Sequence, residues 1–135
     1  MNYHAKIVPI VILIGFIMLT GTRINEDEIP GDIAIAFKVG TAKELSRFFN
    51  ENLELSVLEN DDIYSRSQAE RIMDDFFKEY TPKNFEFIHE GGKQDAKYAI
   101  GKLETFNGTF RVYLLLKKEK EKLLIHQLRI EKENE

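Results

Sequence analysis

Apolar residues recur at helical steps through the first half of the chain and at alternate positions through the second, which predicts short helices followed by a sheet. Ile29, Ile33 and Phe37 repeat every four residues around Pro30-Gly31, with Asp32 placed to cap the free amides of a first helix. Gly40 is its predicted stop. Thr41 and Glu44 form a capping-box pattern that opens a second helix, on which Leu45, Phe48 and Phe49 share a face. Leu53, Leu55 and Val57 alternate with Glu54 and Ser56, the period of a half-buried strand, and the polar run from Glu59 to Asp62 reads as the turn that closes it. Ser67 and Glu70 then mark a third helix, where Ala69, Ile72, Met73, Phe76, Phe77 and Tyr80 fall on one face and the charged residues on the other.

Pro82 forbids continuation of that helix, and the remainder reads as four strands joined by hairpins. Phe85, Phe87 and His89 share one phase of the first, which Gly91-Gly92 is expected to end. Asn107-Gly108, between two alternating runs, is the preferred pair for a two-residue type I′ turn. Counting outward from that turn places Thr105 opposite Phe110, Glu104 opposite Arg111 as an ion pair, and Leu103 opposite Val112. One face then carries Ala99, Gly101, Leu103, Phe110, Val112 and Leu114, toward the helices. The other mixes Tyr98, Ile100, Tyr113 and Leu115 with Lys102, Glu104 and Arg111. In the last strand Leu124, His126, Leu128 and Ile130 share one phase, and Leu123, Ile125, Gln127 and Arg129 the other.

Before the first helix lies a segment of another kind. Lys6 is followed by an apolar run from Ile7 to Leu19, shorter than the roughly 20 residues a membrane span needs. It reads as a secretory signal over residues 1–22, with retention as an uncleaved anchor as the other reading, followed by a linker over 23–28. The 135 residues suffice for one domain with one core, over 29–132, and leave 133–135 as a tail. Without cysteine, neither disulfides nor a lipidated N-terminus is available. The net charge of −4 becomes more negative once Lys6 and Arg23 are removed, and no basic stripe with interleaved aromatics is present. Nucleic acid is therefore an unexpected partner.

The order of helix, helix, strand, helix and four antiparallel strands resembles the nuclear transport factor 2-like superfamily, a cystatin-like architecture. More closely, the stretches IPGDIAIAFKVGTAKELSRFFNENLELSVLEN, KYAIGKLETFNGTFRVYLLLK and KLLIHQLRIEK are similar to an exported Bacteroidota family classed as a domain of unknown function. That resemblance implies an α+β fold, a cone-shaped curved antiparallel sheet packed on three N-terminal helices, and a periplasmic or extracellular location. It supplies no catalytic residues, and one cone hosts many functions.

Candidate chemistry must come from the side chains. His89 and His126 share phases with inward apolar residues, so they are expected to mark a pocket inside the cone with Tyr64, Phe87 and Phe110. An isomerase or lyase using His126 as general base is one reading, but the inner strand positions offer no carboxylate to complete it. No third ligand accompanies the histidines, and no cysteine nucleophile or phosphate-cradling loop occurs. Neither metal nor cofactor is expected. Tyr98, Ile100, Tyr113, Leu115, Leu123 and Ile125, rimmed by Arg111, are expected to form an apolar outer patch that pairs two copies of the chain. The reading this favours is a non-catalytic module of the cell envelope that binds a small ligand or a protein.

Overall fold

The computed structural model describes residues 28–134. The signal expected over 1–22, and all of the linker except Glu28, lie outside the described residues. Two helices, α1 (Gly31–Val39) and α2 (Ala42–Ser46), lead into a hairpin of β1 (Phe49–Val57) and β2 (Asn60–Ser65). Then come α3 (Arg66–Glu79) and a four-strand meander, β3 (Pro82–Lys93), β4 (Ala96–Thr105), β5 (Gly108–Glu119) and β6 (Lys122–Lys132). The strands form one six-stranded sheet in the order β2-β1-β6-β5-β4-β3, with β1 parallel to β6 and the other neighbours antiparallel. This is the expected α+β architecture.

α1 and α3 form where their apolar stripes predict, but α2 stops at Ser46, so Phe48 lies beyond it and Phe49 opens β1 instead of sharing a helical face with Leu45, and the helix ends are held differently. Gly40 ends α1 in the left-handed conformation at φ 78°, its amide donating to the Ala36 carbonyl. Neither Asp32 nor Thr41 caps with its side chain, and Glu44 pairs instead with Arg47 at 3.0 Å. The capping box of α3 belongs to Ser65 and Gln68 rather than to Ser67 and Glu70. Glu70 accepts a 2.7 Å hydrogen bond from the buried Ser46 hydroxyl, tying α3 to α2 across what reads in sequence as a solvated face.

The polar run from Glu59 to Asp62 is not a terminal turn but the start of β2, an exposed edge strand. Its asparagine and aspartates are poor strand formers, and only pairing with β1 holds them extended. Gly91-Gly92 likewise lies inside β3, paired with Tyr98 and Lys97, while the chain reverses after Lys93. A Cβ on Gly91 would fall 2.4 Å from the Tyr98 hydroxyl oxygen, so this glycine leaves room for the ring lying across it.

The β4–β5 turn is displaced by two residues from the expected register. Thr105 pairs with Gly108 and Leu103 with Phe110, so Phe106 and Asn107 form the tip and Gly108 takes φ 121°. The Glu104–Arg111 ion pair is not formed. Glu104 lies 3.7 Å from Lys102, and Arg111 lies 3.7 Å from Glu133. A shift of two preserves the face of every residue, and Leu103, Phe110, Val112 and Leu114 are buried against the helices as expected.

A turn with two left-handed residues occurs at β5–β6 instead, where Lys120 (φ 46°) and Glu121 (φ 70°) connect the paired Glu119 and Lys122. Neither residue is suited to that conformation. Glu121→Gly is expected to raise stability by roughly 0.5–1 kcal/mol, relief of strain outweighing the entropy glycine adds. Urea denaturation checks it; an unchanged or lower midpoint contradicts it.

Candidate functional site

The interior of the cone is where a pocket is expected, and aromatic rings occupy it. Phe37 of α1 stacks on Phe85 at 4.7 Å and meets Phe77 edge-on at 6.1 Å. Phe76 meets Phe110 at 5.2 Å, and Tyr80 closes on Phe110 at 4.9 Å. Gly101 sits beneath the Phe85 ring, which would lie 2.3 Å from a Cβ there. Phe110 is therefore a core residue with no exposed surface, while Phe87 and Tyr64 pack half-buried against the same cluster. Ser46 and Thr105 are the buried polar residues among those described, so no imidazole or carboxylate is buried in the cone.

Both histidines leave the inner face for the same reason. In β3 the pairs Phe87 with Gly101 and His89 with Ile100 make Ile88 an extra residue, a bulge that advances the alternation by one. His89 consequently stands on the outer face, exposed, its Nε2 3.2 Å from the Tyr98 hydroxyl. In β6 the pairs Leu116 with Ile125 and Leu115 with Gln127 make His126 the extra residue. Leu123 and Ile125 therefore join Leu128 and Ile130 in the core, and His126 turns outward. These bulges correct the expectations for both sites: His89 and His126 are outside the cone, and Leu123 and Ile125 are absent from the outer patch. The isomerase reading loses the imidazole it placed in the cone.

His126 sits instead in a shallow cleft of about 220 Å³ with Leu115, Lys117, Gln127, Glu54 and Asn52. Its Nε2 lies 3.3 Å from a Glu119 carboxylate oxygen, and it is buried without a hydrogen-bond partner. Among the described residues no group of three His, Asp or Glu side chains is arranged to hold a metal.

Two further surfaces of the described residues carry apolar side chains. The outer sheet face carries Ile100, Tyr113 and Leu115, half-buried, beside the more exposed Tyr98 and Arg111. Tyr113 lies against the Arg111 guanidinium and, by hydrogen bonding, pushes it above its ordinary pKa, with Glu133 adding to the effect. A cleft of about 560 Å³ lies between the start of α1, the α2–β1 junction and the β5–β6 turn. Its walls include Ile29, Phe48, Leu123 and Leu124, with Arg47 and Lys122 at hand. The sequence reading missed this cleft; Phe48, an aromatic left half-buried beyond the end of α2, is the signal that marks it.

The architecture has relatives. A family model described as "Domain of unknown function (DUF4783)" matches residues 30–131. The chain belongs to this family. A DUF4783 protein from Bacteroides ovatus is 36% identical, with a TM-score of 0.76 over 81% of this chain and 99% of that one. A second from Bacteroides uniformis is 31% identical, with a TM-score of 0.76 over 80% and 100%. At 12% identity, a domain of unknown function with a cystatin-like fold from Nostoc punctiforme superposes with a TM-score of 0.61, over 77% of this chain and 72% of that one. At such identity the likeness concerns the fold alone. No curated protein matches the chain. This DUF4783 chain thus has a family and a nuclear transport factor 2-like, cystatin-like fold, and its function rests on its own surfaces.

Proposed function

We propose that this DUF4783 chain is an exported, non-catalytic interaction module that pairs with a second copy of itself through the outer sheet face. The observation that carries the reading is the filled cone: phenylalanines pack where a substrate would sit, and no buried acid or base accompanies them among the described residues. Acid–base catalysis needs a titratable group within reach of the reacting atom, so binding is the activity this geometry favours. The outer face supports it further. Ile100, Tyr113 and Leu115 form a band across β4 and β5, and α1, α2 and α3 pack on the opposite side.

A row of charges borders that band: Glu86, Lys102, Arg111 and Glu131 are successive cross-strand neighbours. Both signs on one row let the face meet a copy of itself without net repulsion, as an isologous interface requires. Export is proposed from the apolar run ahead of the domain, and a small ligand would find its place in the cleft lined by Ile29, Phe48 and Leu124. Light scattering of the exported chain at tens of micromolar is the test. Twice the chain mass is expected, reverting to a monomer in Leu115→Glu because two like charges would be buried together. A strictly monomeric wild-type chain removes the self-pairing reading.

A further inference from the structure

Of the chain's asparagines, only Asn107 precedes a glycine. Its side chain is not idle at the hairpin tip. Nδ2 donates a 2.9 Å hydrogen bond to the carbonyl of Glu79, one of the carbonyls left free at the C-terminal end of α3. The neighbouring Phe106 amide donates to the Thr81 carbonyl at 3.1 Å. The tip of the β4–β5 hairpin is thereby fastened to the end of the helix that carries Phe76 and Phe77. The turn is held from within as well: the Thr105 hydroxyl accepts from the Asn107 amide at 3.1 Å and donates to the Gly108 carbonyl at 2.7 Å.

We infer that Asn107 is both the latch between α3 and the sheet and the chain's site of spontaneous deamidation, an irreversible modification that undoes the latch. The step needs only water. The backbone nitrogen of Gly108 attacks Cγ of Asn107, forming a nitrogen–carbon bond as the bond from Cγ to Nδ2 breaks. The proton of that nitrogen departs with the amide as ammonia, leaving a cyclic succinimide. Water then adds and opens the ring to aspartate or isoaspartate. Glycine at the following position permits the approach because no side chain shields its nitrogen.

The native turn opposes this closure. Nδ2 is directed at Glu79, and both sides of the Asn107–Gly108 peptide are held by Thr105, so attack requires the tip to open first. Once formed, a carboxylate at this position faces the Glu79 carbonyl at the negative end of the α3 dipole, and repulsion replaces a hydrogen bond.

The experiment incubates the protein at 37 °C in buffer and in concentrated urea, following each asparagine-containing peptide by mass for the gain of one mass unit. Conversion at Asn107 is expected to outpace every other asparagine in urea, and to be slower in the folded protein by about tenfold or more, as opening of the tip becomes limiting. Thr105→Val, which removes the hydroxyl but keeps the branched shape, should raise the native rate toward the urea rate. Asn107→Asp reports the consequence directly, through a lower unfolding midpoint and faster hydrogen exchange at the Phe106 amide. Equal rates in buffer and urea would overturn the protective latch. Equal conversion at the other asparagines would overturn the site, and an unchanged midpoint with unchanged Phe106 exchange would overturn the consequence.

Discussion

Phe37→Ala is expected to destabilise the domain by about 3–5 kcal/mol, the range for emptying a buried phenylalanine site. Phe37 is 0% exposed and touches both halves of the fold, stacking on Phe85 of β3 and meeting Phe77 of α3 edge-on. Its removal deletes two ring contacts as well as the transfer energy, and little around it can collapse inward. The sheet supports Phe85 from behind, and Gly101 leaves that ring no side chain to fall upon. Against a total stability of roughly 5–15 kcal/mol the loss is severe but survivable. Chemical denaturation measures it, and a loss under about 1 kcal/mol would show that the site is not tightly packed. The same variant tests the functional argument. A dry apolar cavity of this origin binds small aromatic molecules. Benzene or indole should therefore raise the melting temperature of Phe37→Ala and leave the wild-type chain unmoved. A wild-type shift of equal size would mean that the cone already holds accessible space.

The fold was legible because its elements rest on long, redundant patterns. The stripe of α3 repeats over about three turns, and a misplaced cap at Ser67 instead of Ser65 moves its start without moving its face. The β4–β5 register is wrong by two in the sequence reading, yet an even displacement leaves every side chain on its own side. The candidate site was illegible for the complementary reason. An odd displacement reverses the faces, and both histidines lie at or next to a single inserted residue, Ile88 in β3 and His126 in β6. A bulge leaves little mark in sequence when both phases are apolar, as Leu123-Leu124-Ile125 is. Strand β2 escaped because an exposed edge strand has no buried phase to show. Tyr98, Ile100, Tyr113, Leu115 and Arg111 were placed correctly, since no bulge separates β4 from β5.

The bulge in β6 carries the second large effect, expected to divide two adjacent apolar residues. Ile125→Lys should leave the chain unfolded, whereas Leu124→Lys should fold with a change within about 1 kcal/mol. In an unbroken strand Leu124 would share the inward side of Leu128, and Ile125 would look outward. The extra residue exchanges them: Ile125 is 0% exposed beneath the helices, with its amide bonded to the Phe48 carbonyl at 2.7 Å, and Leu124 is half-buried on the outer side opposite Lys117. An ammonium forced into the aromatic interior has no partner there, since Ser46 and Thr105 are the buried polar residues described and both hydroxyls are engaged. The several kcal/mol of uncompensated desolvation adds to the lost burial of Ile125, and together they exceed a stability near the lower end of roughly 5–15 kcal/mol. At position 124 the lysine stem lies along the outer face while its head reaches water. Circular dichroism and urea titration of the two variants decide the matter. The reverse outcome, a folded Ile125→Lys and an unfolded Leu124→Lys, would return His126 to the inner face and with it the case for an acid–base site inside the cone.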